Sequence, residues 1–336
     1  MFCILTPLAL AGVEKDRESW GSLTVPGSHD IKDKEFRKGE YRMNKNNCDA
    51  FRAAMSIGAR DLSAEALVKC AEAGIRTVEL SYGEMSMCAD IPWSIFRKTA
   101  DKHQIELWSF HLPFGPFEQV DISSDDPDLR DRSVAYLSEL VKAAGDNGIL
   151  TAVIHPSGEP LKEEKRSEHI KYAQDSLAHL ADIAERSGIV IAVENLPRTC
   201  LGRDSSDMLA LLSVDERLMS CFDTNHLLKQ PATEYIAAVG YKIRTTHVSD
   251  YDYKNERHWL PGEGLTDWPK LINALQSSGY HGPILYELGL RAPATIERRD
   301  LTYADFKANH DALIHLKQPQ PIGKPIPEAC KDWRTL

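Results

Sequence analysis

The stretch that decides the fold begins at ILTAVIH (149–155), continues through a charged helical run and ends at IVIAVEN (189–195). Both quoted segments are short, apolar and rich in β-branched residues, which is typical of strands buried on both faces of a sheet. The run between them, EEKRSEHIKYAQDSLAHLADIAERSG (163–188), is typical of an amphipathic helix and ends at a glycine, the residue that often follows a helix. The stretch therefore predicts a strand, a helix and a second strand.

The same alternation continues along the chain from about residue 50. The apolar runs are 52–58, 75–81, 105–111, 149–155, 189–195, 218–224, 243–249 and 283–288. Helical runs separate them; one begins at Ser63 and stops at Gly74, and another begins at Asp267-Trp268-Pro269. Eight strands that alternate with helices predict an α/β fold, a single parallel (β/α)8 TIM barrel. An open doubly wound sheet is the rival, but no GxGxxG sequence follows the first strand.

The predicted barrel, residues 49–316, would be a catalytic domain between two further segments. Residues 1–48 form an N-terminal extension. Because Met43 stands close before the first strand, we hypothesise that residues 1–42 lie outside the native protein. Residues 317–336 are rich in proline and are expected to form an extended C-terminal arm, which could pack on a neighbouring subunit.

The composition excludes several classes of protein. The 336 residues carry a net charge of −10, so no overall basic field would attract nucleic acid or an anionic membrane. The 7 cysteines are scattered and include no CxxC pair, which is typical of a reduced intracellular protein. No apolar run reaches the roughly 18 residues that span a bilayer, and the apolar start MFCILTPLALAG lacks the basic residues of a secretory signal. We therefore expect a cytoplasmic protein.

Acidic and imidazole side chains stand at the carboxyl ends of six consecutive predicted strands. They are His111, His155, Glu194, Asp223, His226, His247 and Glu287. In a TIM barrel these strand ends meet at one rim, where active sites lie. Any one of these residues could be a satisfied buried polar group or a helix cap, but capping does not explain the repetition.

Three carboxylates that meet in a buried site repel one another and must be neutralised or paired. A divalent cation would remove that cost. Three carboxylates and one histidine suit Mn²⁺, Mg²⁺ or Co²⁺, and additional histidines favour Zn²⁺. On this reasoning Asp223 in CFDTNH (221–226) is a metal ligand, and His226 lies beside the substrate or on a further metal ion.

The loop after the seventh strand, NERHWLPGEG (255–264), carries a second set of candidate residues. Arg257 and His258 could donate hydrogen bonds to hydroxyls or to an anionic group. The glycines that follow would let the backbone approach a ligand closely. A charged loop before a glycine turn is common, so its composition alone does not indicate function. Its position directly after strand seven favours a functional role.

Five motifs together resemble one known group of proteins. AVENLP (192–197), CFDTNH (221–226), THVSDYD (246–252), RHWLPGEG (257–264) and LYEL (285–288) are similar to the xylose isomerase-like TIM-barrel superfamily. That group includes sugar phosphate isomerases and epimerases, ketose 3-epimerases, inosose dehydratases and apurinic repair enzymes of the endonuclease IV type. The resemblance covers residues 50–290 and does not specify the substrate.

The resemblance implies a divalent-metal-dependent sugar isomerase or epimerase. Glu194, Asp223, His247 and Glu287 would bind the metal, for which Mn²⁺ is favoured over Mg²⁺, Co²⁺ or Zn²⁺. Glu194 and Glu287 would also be catalytic: one removes a proton next to a carbonyl and the other returns it to the metal-stabilised enediolate. His111, His155, His226, Arg257 and His258 would bind a small carbohydrate substrate, and the protein would be a homo-oligomer or have a small partner subunit.

Two other functions remain open under the same resemblance. In the endonuclease IV branch, an apurinic-site phosphodiesterase with several zinc ions, His111, His155, His226 and His258 match extra metal ligands. Glu256 stands where that branch has aspartate, which puts a third metal in doubt, and the acidic balance weighs against a duplex-DNA enzyme. The other alternative is the catalytic subunit of a metal-dependent lyase complex that cleaves C-glycosides.

Overall fold

The computed structural model describes residues 51–335, which form a barrel of eight parallel strands with helices between them. The strands are β1 (Ala53–Gly58), β2 (Thr77–Ser81), β3 (Glu106–His111), β4 (Thr151–Ile154), β5 (Val190–Glu194), β6 (Met219–Asp223), β7 (Ile243–His247) and β8 (Ile284–Tyr286). The strand order is β7-β6-β5-β4-β3-β2-β1-β8. A parallel bridge between Val248 and Tyr286 joins the two ends of this order. The predicted (β/α)8 barrel is therefore confirmed; the N-terminal extension lies outside the described residues.

Eight helices follow the strands in the alternation that the sequence predicts. They are α1 (Ala64–Glu72), α2 (Trp93–His103), α3 (Pro127–Asp146), α4 (Arg166–Arg186), α5 (Ser205–Leu212), α6 (Ala232–Val239), α7 (Trp268–Ser277) and α8 (Tyr303–Ile314). Ser63 accepts a hydrogen bond from the Ala66 N–H and so begins α1, and Asp267 begins α7 in the same way. No helix of the described chain is long and apolar enough to cross a membrane.

The main core lies between the barrel and its helices. The strands contribute residues such as Val78 and Leu80, which are fully buried, while the helices contribute residues such as Leu67 and Leu177. Inside the barrel a second layer is smaller and partly polar. There the Trp108 indole donates across the barrel to Thr245 at 3.0 Å. This packed floor leaves only the carboxyl ends of the strands open for a site.

The C-terminal arm packs on the chain's own barrel. Its short strand β10 (Lys324–Pro325) pairs antiparallel with β9 (Ile296–Glu297), and the Gly323 N–H donates to Glu263 at 2.9 Å. Gly262 has a φ of 97°, and a side chain there would collide with the Pro319 carbonyl. The glycine turn that was expected to approach a ligand therefore approaches the arm.

Candidate active site

The predicted site residues lie at one end of the barrel because all eight strands are parallel. His111, Glu194, Asp223 and His247 are the last residues of β3, β5, β6 and β7. His155 and Glu287 each follow their strand by one residue. The short strands thus bring together side chains that are far apart in the sequence.

Glu194 is at the centre of the site, and its side chain is 1% exposed. Its Oε2 lies 3.1 Å from His111 Nε2 and 3.2 Å from His155 Nε2. Its Oε1 lies 2.9 Å from His247 Nδ1. Burial opposes the charged form of Glu194, but the surrounding imidazoles hold its pKa well below the ordinary value. The carboxylate is therefore charged and is contacted from three strands.

Asp223 is fully buried and incompletely paired. Its Oδ1 accepts the Asn225 N–H at 2.5 Å, whereas its Oδ2 has no hydrogen-bond partner. Burial raises the pKa of Asp223 to about 8, and the neighbouring carboxylates of Glu287 and Glu194 contribute to that rise. An unpaired buried carboxylate oxygen is costly, so the donor set here fits a divalent cation.

The candidate ligand atoms form overlapping groups. His111, Glu194, His247 and Glu287 offer atoms within 4.8 Å of one another, and so do Glu194, Asp223 and His226. We call His111, Glu194, Asp223, His247 and Glu287 the central cluster. The four predicted ligands all belong to it, but they are divided between two groups that share Glu194.

A third group, which we call the outer cluster, consists of His226, Glu256 and His258. Glu256 Oε2 lies 3.6 Å from His226 Nε2 and 3.7 Å from His258 Nε2. The other oxygen of Glu256 accepts a hydrogen bond from Arg198, which also pairs with Glu159 at 2.7 Å. Burial raises the pKa of Glu256, but the two imidazoles and Arg198 together hold it far below the ordinary value. A fixed cation, Arg198, thus lies beside the outer cluster.

Backbone conformation also marks the outer cluster. Arg198 and His258 have φ values of 52° and 51°, in the left-handed region. Residues with side chains occupy that region rarely, and such residues concentrate at functional sites. Neither Arg198 nor Glu159 was among the predicted residues, because both belong to loops, where no period in the sequence indicates which way a side chain points.

The Arg257 side chain has partners within the protein. Its Nε donates to Asp252 at 3.0 Å, and its Nη2 donates to the Lys331 carbonyl at 2.6 Å. The side chain is buried, with 5% exposure. Because the Arg257 guanidinium is engaged within the protein, the arrangement favours a role in holding the C-terminal arm over the expected contact with substrate.

Glu79 was missed by the sequence reasoning. It lies on β2, is fully buried and approaches His247 Nε2 at 3.1 Å. The alternation of TVELS (77–81) is the signal that could have found it: Val78 and Leu80 face the core, so Thr77, Glu79 and Ser81 face the barrel interior. Glu79 lies inside β2 and not at its carboxyl end, where the other candidate residues were found.

A cavity of about 300 Å³ opens beside the central cluster. Glu287 and His258 line it together with Ser56, Ser81 and Tyr303. Glu287 is 22% exposed, unlike Glu194, and therefore reaches the cavity. A second cavity of about 400 Å³ lies between the loop after β6 and the start of α7, and no predicted site residue lines it.

The profile of the xylose isomerase-like TIM barrel family matches residues 67–305. The match covers more than half of the chain and includes all the predicted site residues. The chain belongs to the xylose isomerase-like TIM barrel family. The resemblance predicted from the five motifs is thereby confirmed.

The chain is similar to curated proteins whose names indicate several activities. The chain is 29% identical to fructoselysine 3-epimerase of Escherichia coli O157:H7 over 121 residues, 34% of the chain and 44% of the relative. It is 22% identical to D-psicose 3-epimerase of Ruminiclostridium cellulolyticum over 272 residues, 75% of the chain and 87% of the relative. It is 24% identical to the probable endonuclease 4 of Thermoplasma acidophilum over 199 residues, 54% and 66% of the two chains. The chain spans less than two thirds of the length of several of these relatives.

A solved structure supports the same fold. A D-tagatose 3-epimerase-like protein superposes with a TM-score of 0.64 at 20% identity, covering 78% of this chain and 96% of the other. At this identity the likeness shows the fold. Proteins named as 3-epimerases occur among both the sequence relatives and the structural neighbours.

Proposed function

We propose that the protein is a divalent-metal-dependent sugar isomerase or epimerase that moves a proton on the carbon next to a carbonyl. One observation carries this proposal. Glu194 Oε1 and Glu287 Oε2 approach the same ring nitrogen of His247 at 2.9 and 3.5 Å, from different strands. Two carboxylates at one buried imidazole provide both a site for a cation and a pair of proton carriers.

Glu194, Asp223, His247 and Glu287 would hold the cation, with Mn²⁺ favoured. When bound, the cation would polarise the sugar carbonyl and stabilise negative charge on its oxygen. Glu287 lines the cavity and would take the proton from the substrate carbon. Glu194, which His111 and His155 hold in one orientation, would return a proton to the resulting enediolate after receiving that proton from the His111 imidazolium at its Oε2. His155, His226 and His258 would contact sugar hydroxyls.

The test is solvent exchange into a panel of free ketoses, D-psicose, D-tagatose and D-fructose among them, in D₂O with Mn²⁺. Wild type should incorporate deuterium at the carbon next to the carbonyl. Glu194→Gln and Glu287→Gln should each lower the exchange rate by about 10²- to 10⁴-fold. The matched control is Glu139→Gln, because Glu139 is exposed on α3 and pairs with Lys142. Normal exchange in both active-site variants would refute the two-carboxylate mechanism.

A second candidate, an endonuclease IV-like phosphodiesterase, is favoured by the outer cluster. His226, Glu256 and His258 are close enough to hold a further cation. Against it, Arg198 already engages Glu256. A duplex with one abasic site distinguishes the two functions: metal-dependent nicking on its 5′ side, together with two or three zinc ions per chain, would replace the sugar proposal.

A further inference from the structure

Glu79 is a buried carboxylate outside the predicted ligand set. It lies in the middle of β2, with its side chain fully inaccessible inside the barrel. Its Oε2 accepts a hydrogen bond from Ser109 Oγ at 2.7 Å and lies 3.2 Å from His247 Nε2. Its Oε1 lies 3.1 Å from the same nitrogen but forms no hydrogen bond. Glu79 thus faces the imidazole from the barrel floor.

A purely structural role, in which Glu79 only fills space in the barrel, explains this arrangement poorly. A buried carboxylate is costly unless it is paired, and the ion pair that the described residues give Glu79 is with His247. A leucine of similar size would pack there without that cost. The position is therefore occupied by a side chain that can accept a hydrogen bond from the imidazole N–H.

His247 has two ring nitrogens with different neighbours. Nδ1 faces the carboxylates of Glu194 and Glu287, and Nε2 faces Glu79. A histidine can bind a metal through one nitrogen only if the other carries the proton, and the acceptor on that other side fixes which nitrogen it is. The arrangement therefore selects Nδ1 for the cation.

We infer that Glu79 is a positioning residue: it accepts the Nε2–H of His247 and so keeps Nδ1 directed at the metal site between Glu194 and Glu287. This inference rests on the proposed metal site. Ser109 donates to the same carboxylate and limits its rotation. Glu79 does not reach the cavity, so its role is to orient a ligand rather than to touch substrate.

The first experiment measures Mn²⁺ affinity by calorimetry in wild type, Glu79→Gln and Glu79→Leu. Glutamine retains an oxygen acceptor and leucine has none. We expect Glu79→Leu to weaken Mn²⁺ binding by about 10- to 100-fold, the loss typical of removing a partner of a metal-bound histidine, and Glu79→Gln to recover part of it. Ser109→Ala, which leaves His247 untouched, should have the smallest effect.

The second experiment reads the proton directly, so that a merely structural role can be recognised. In ¹⁵N-labelled protein loaded with Zn²⁺, long-range ¹H–¹⁵N spectra should show the His247 proton on Nε2 in wild type. In Glu79→Leu, the His247 proton should no longer be confined to Nε2. A proton on Nδ1 in wild type, or unchanged Mn²⁺ affinity in Glu79→Leu, would overturn the inference. If Glu79→Leu fails to fold, Glu79→Gln carries both measurements. Wild type that binds no divalent cation would instead remove the proposed function itself.

Discussion

The two clusters at the barrel mouth compensate their negative charge in different ways. In the central cluster, Glu194 is paired only with histidines among the described residues, and Asp223 Oδ2 accepts no hydrogen bond and lies 3.6 Å from the His226 imidazole. Beside the outer cluster, the Arg198 guanidinium pairs with Glu256 and also with Glu159. Among the described residues, the carboxylates of the central cluster have no such arginine, whereas Glu256 of the outer cluster does. The difference indicates where a metal ion belongs.

The largest expected effect separates the clusters by metal affinity. Asp223→Ala removes a carboxylate oxygen of the central cluster that accepts no hydrogen bond. It should weaken Mn²⁺ binding by more than about 100-fold, beyond the loss caused by indirect partners. Glu256→Ala, the matched change in the outer cluster, should leave the tightest Mn²⁺ site nearly intact. Titration calorimetry measures both. Equal losses in the two variants would mean that the clusters share one ion.

A second prediction concerns pH in the metal-free protein. Burial raises the pKa of Asp223 to about 8, and nearby carboxylates overcome burial to raise the pKa of His226 to about 10. Groups with raised folded-state pKa values hold more protons when folded, so stability falls as pH rises through those values. The lowered pKa of Glu194 contributes stability that is already fully present above about pH 4.5, so Glu194 adds no pH dependence at neutral or alkaline pH.

Between pH 7 and 10 the free energy of unfolding should therefore fall, by on the order of 1 kcal/mol per pH unit. Saturating Mn²⁺ should reduce this fall in the free energy of unfolding, because the cation takes the place of the protons bound at Asp223 and His226. Urea unfolding at several pH values measures it. Asp223→Asn is the control, since it should flatten the part of the curve below pH 8. Stability that rises with pH without metal would contradict this account of the central cluster.

The third prediction reverses the charge balance of the outer cluster. Arg198→Met frees one oxygen of Glu256 and should raise the affinity of this cluster for a second cation, with Zn²⁺ as the probe, by about tenfold, which is about 1.4 kcal/mol. Arg203→Met is the control, because Arg203 pairs with the exposed Glu163. Zinc affinity that falls in Arg198→Met would show that the guanidinium orients Glu256 as a ligand instead of competing with a metal.

The members of both clusters were named from the sequence, but the Arg198 contact beside the outer cluster was not predictable from it. Each barrel strand is a local apolar run, and parallel strands must place their carboxyl ends on one rim, so His111, Glu194, Asp223 and His247 could be grouped without coordinates. The prediction overextended the fourth strand, where His155 follows Ile154. Which nitrogen faces which oxygen depends on distances that no sequence period encodes.

Contacts between loops explain what was missed. Arg198 reaches Glu256 across 58 positions, and Arg257 reaches the arm at Lys331 across 74. Loop side chains have no periodicity, so their partners cannot be inferred from spacing. The sequence therefore assigned Arg257 to substrate binding without indicating its contacts with Asp252 and the Lys331 carbonyl.

The smallest expected effect tests that reassignment. Arg257→Lys keeps the positive charge but loses the two-sided geometry that reaches Asp252 and the Lys331 carbonyl, so we expect a loss of about 1 kcal/mol in the free energy of unfolding. The KM for the sugar and the Mn²⁺ affinity should not change, because neither cluster contains Arg257. Arg334→Lys, at an exposed pair with Asp332, is the control and should cost less. A raised KM with unaltered stability would indicate that Arg257 binds the substrate and does not hold the arm.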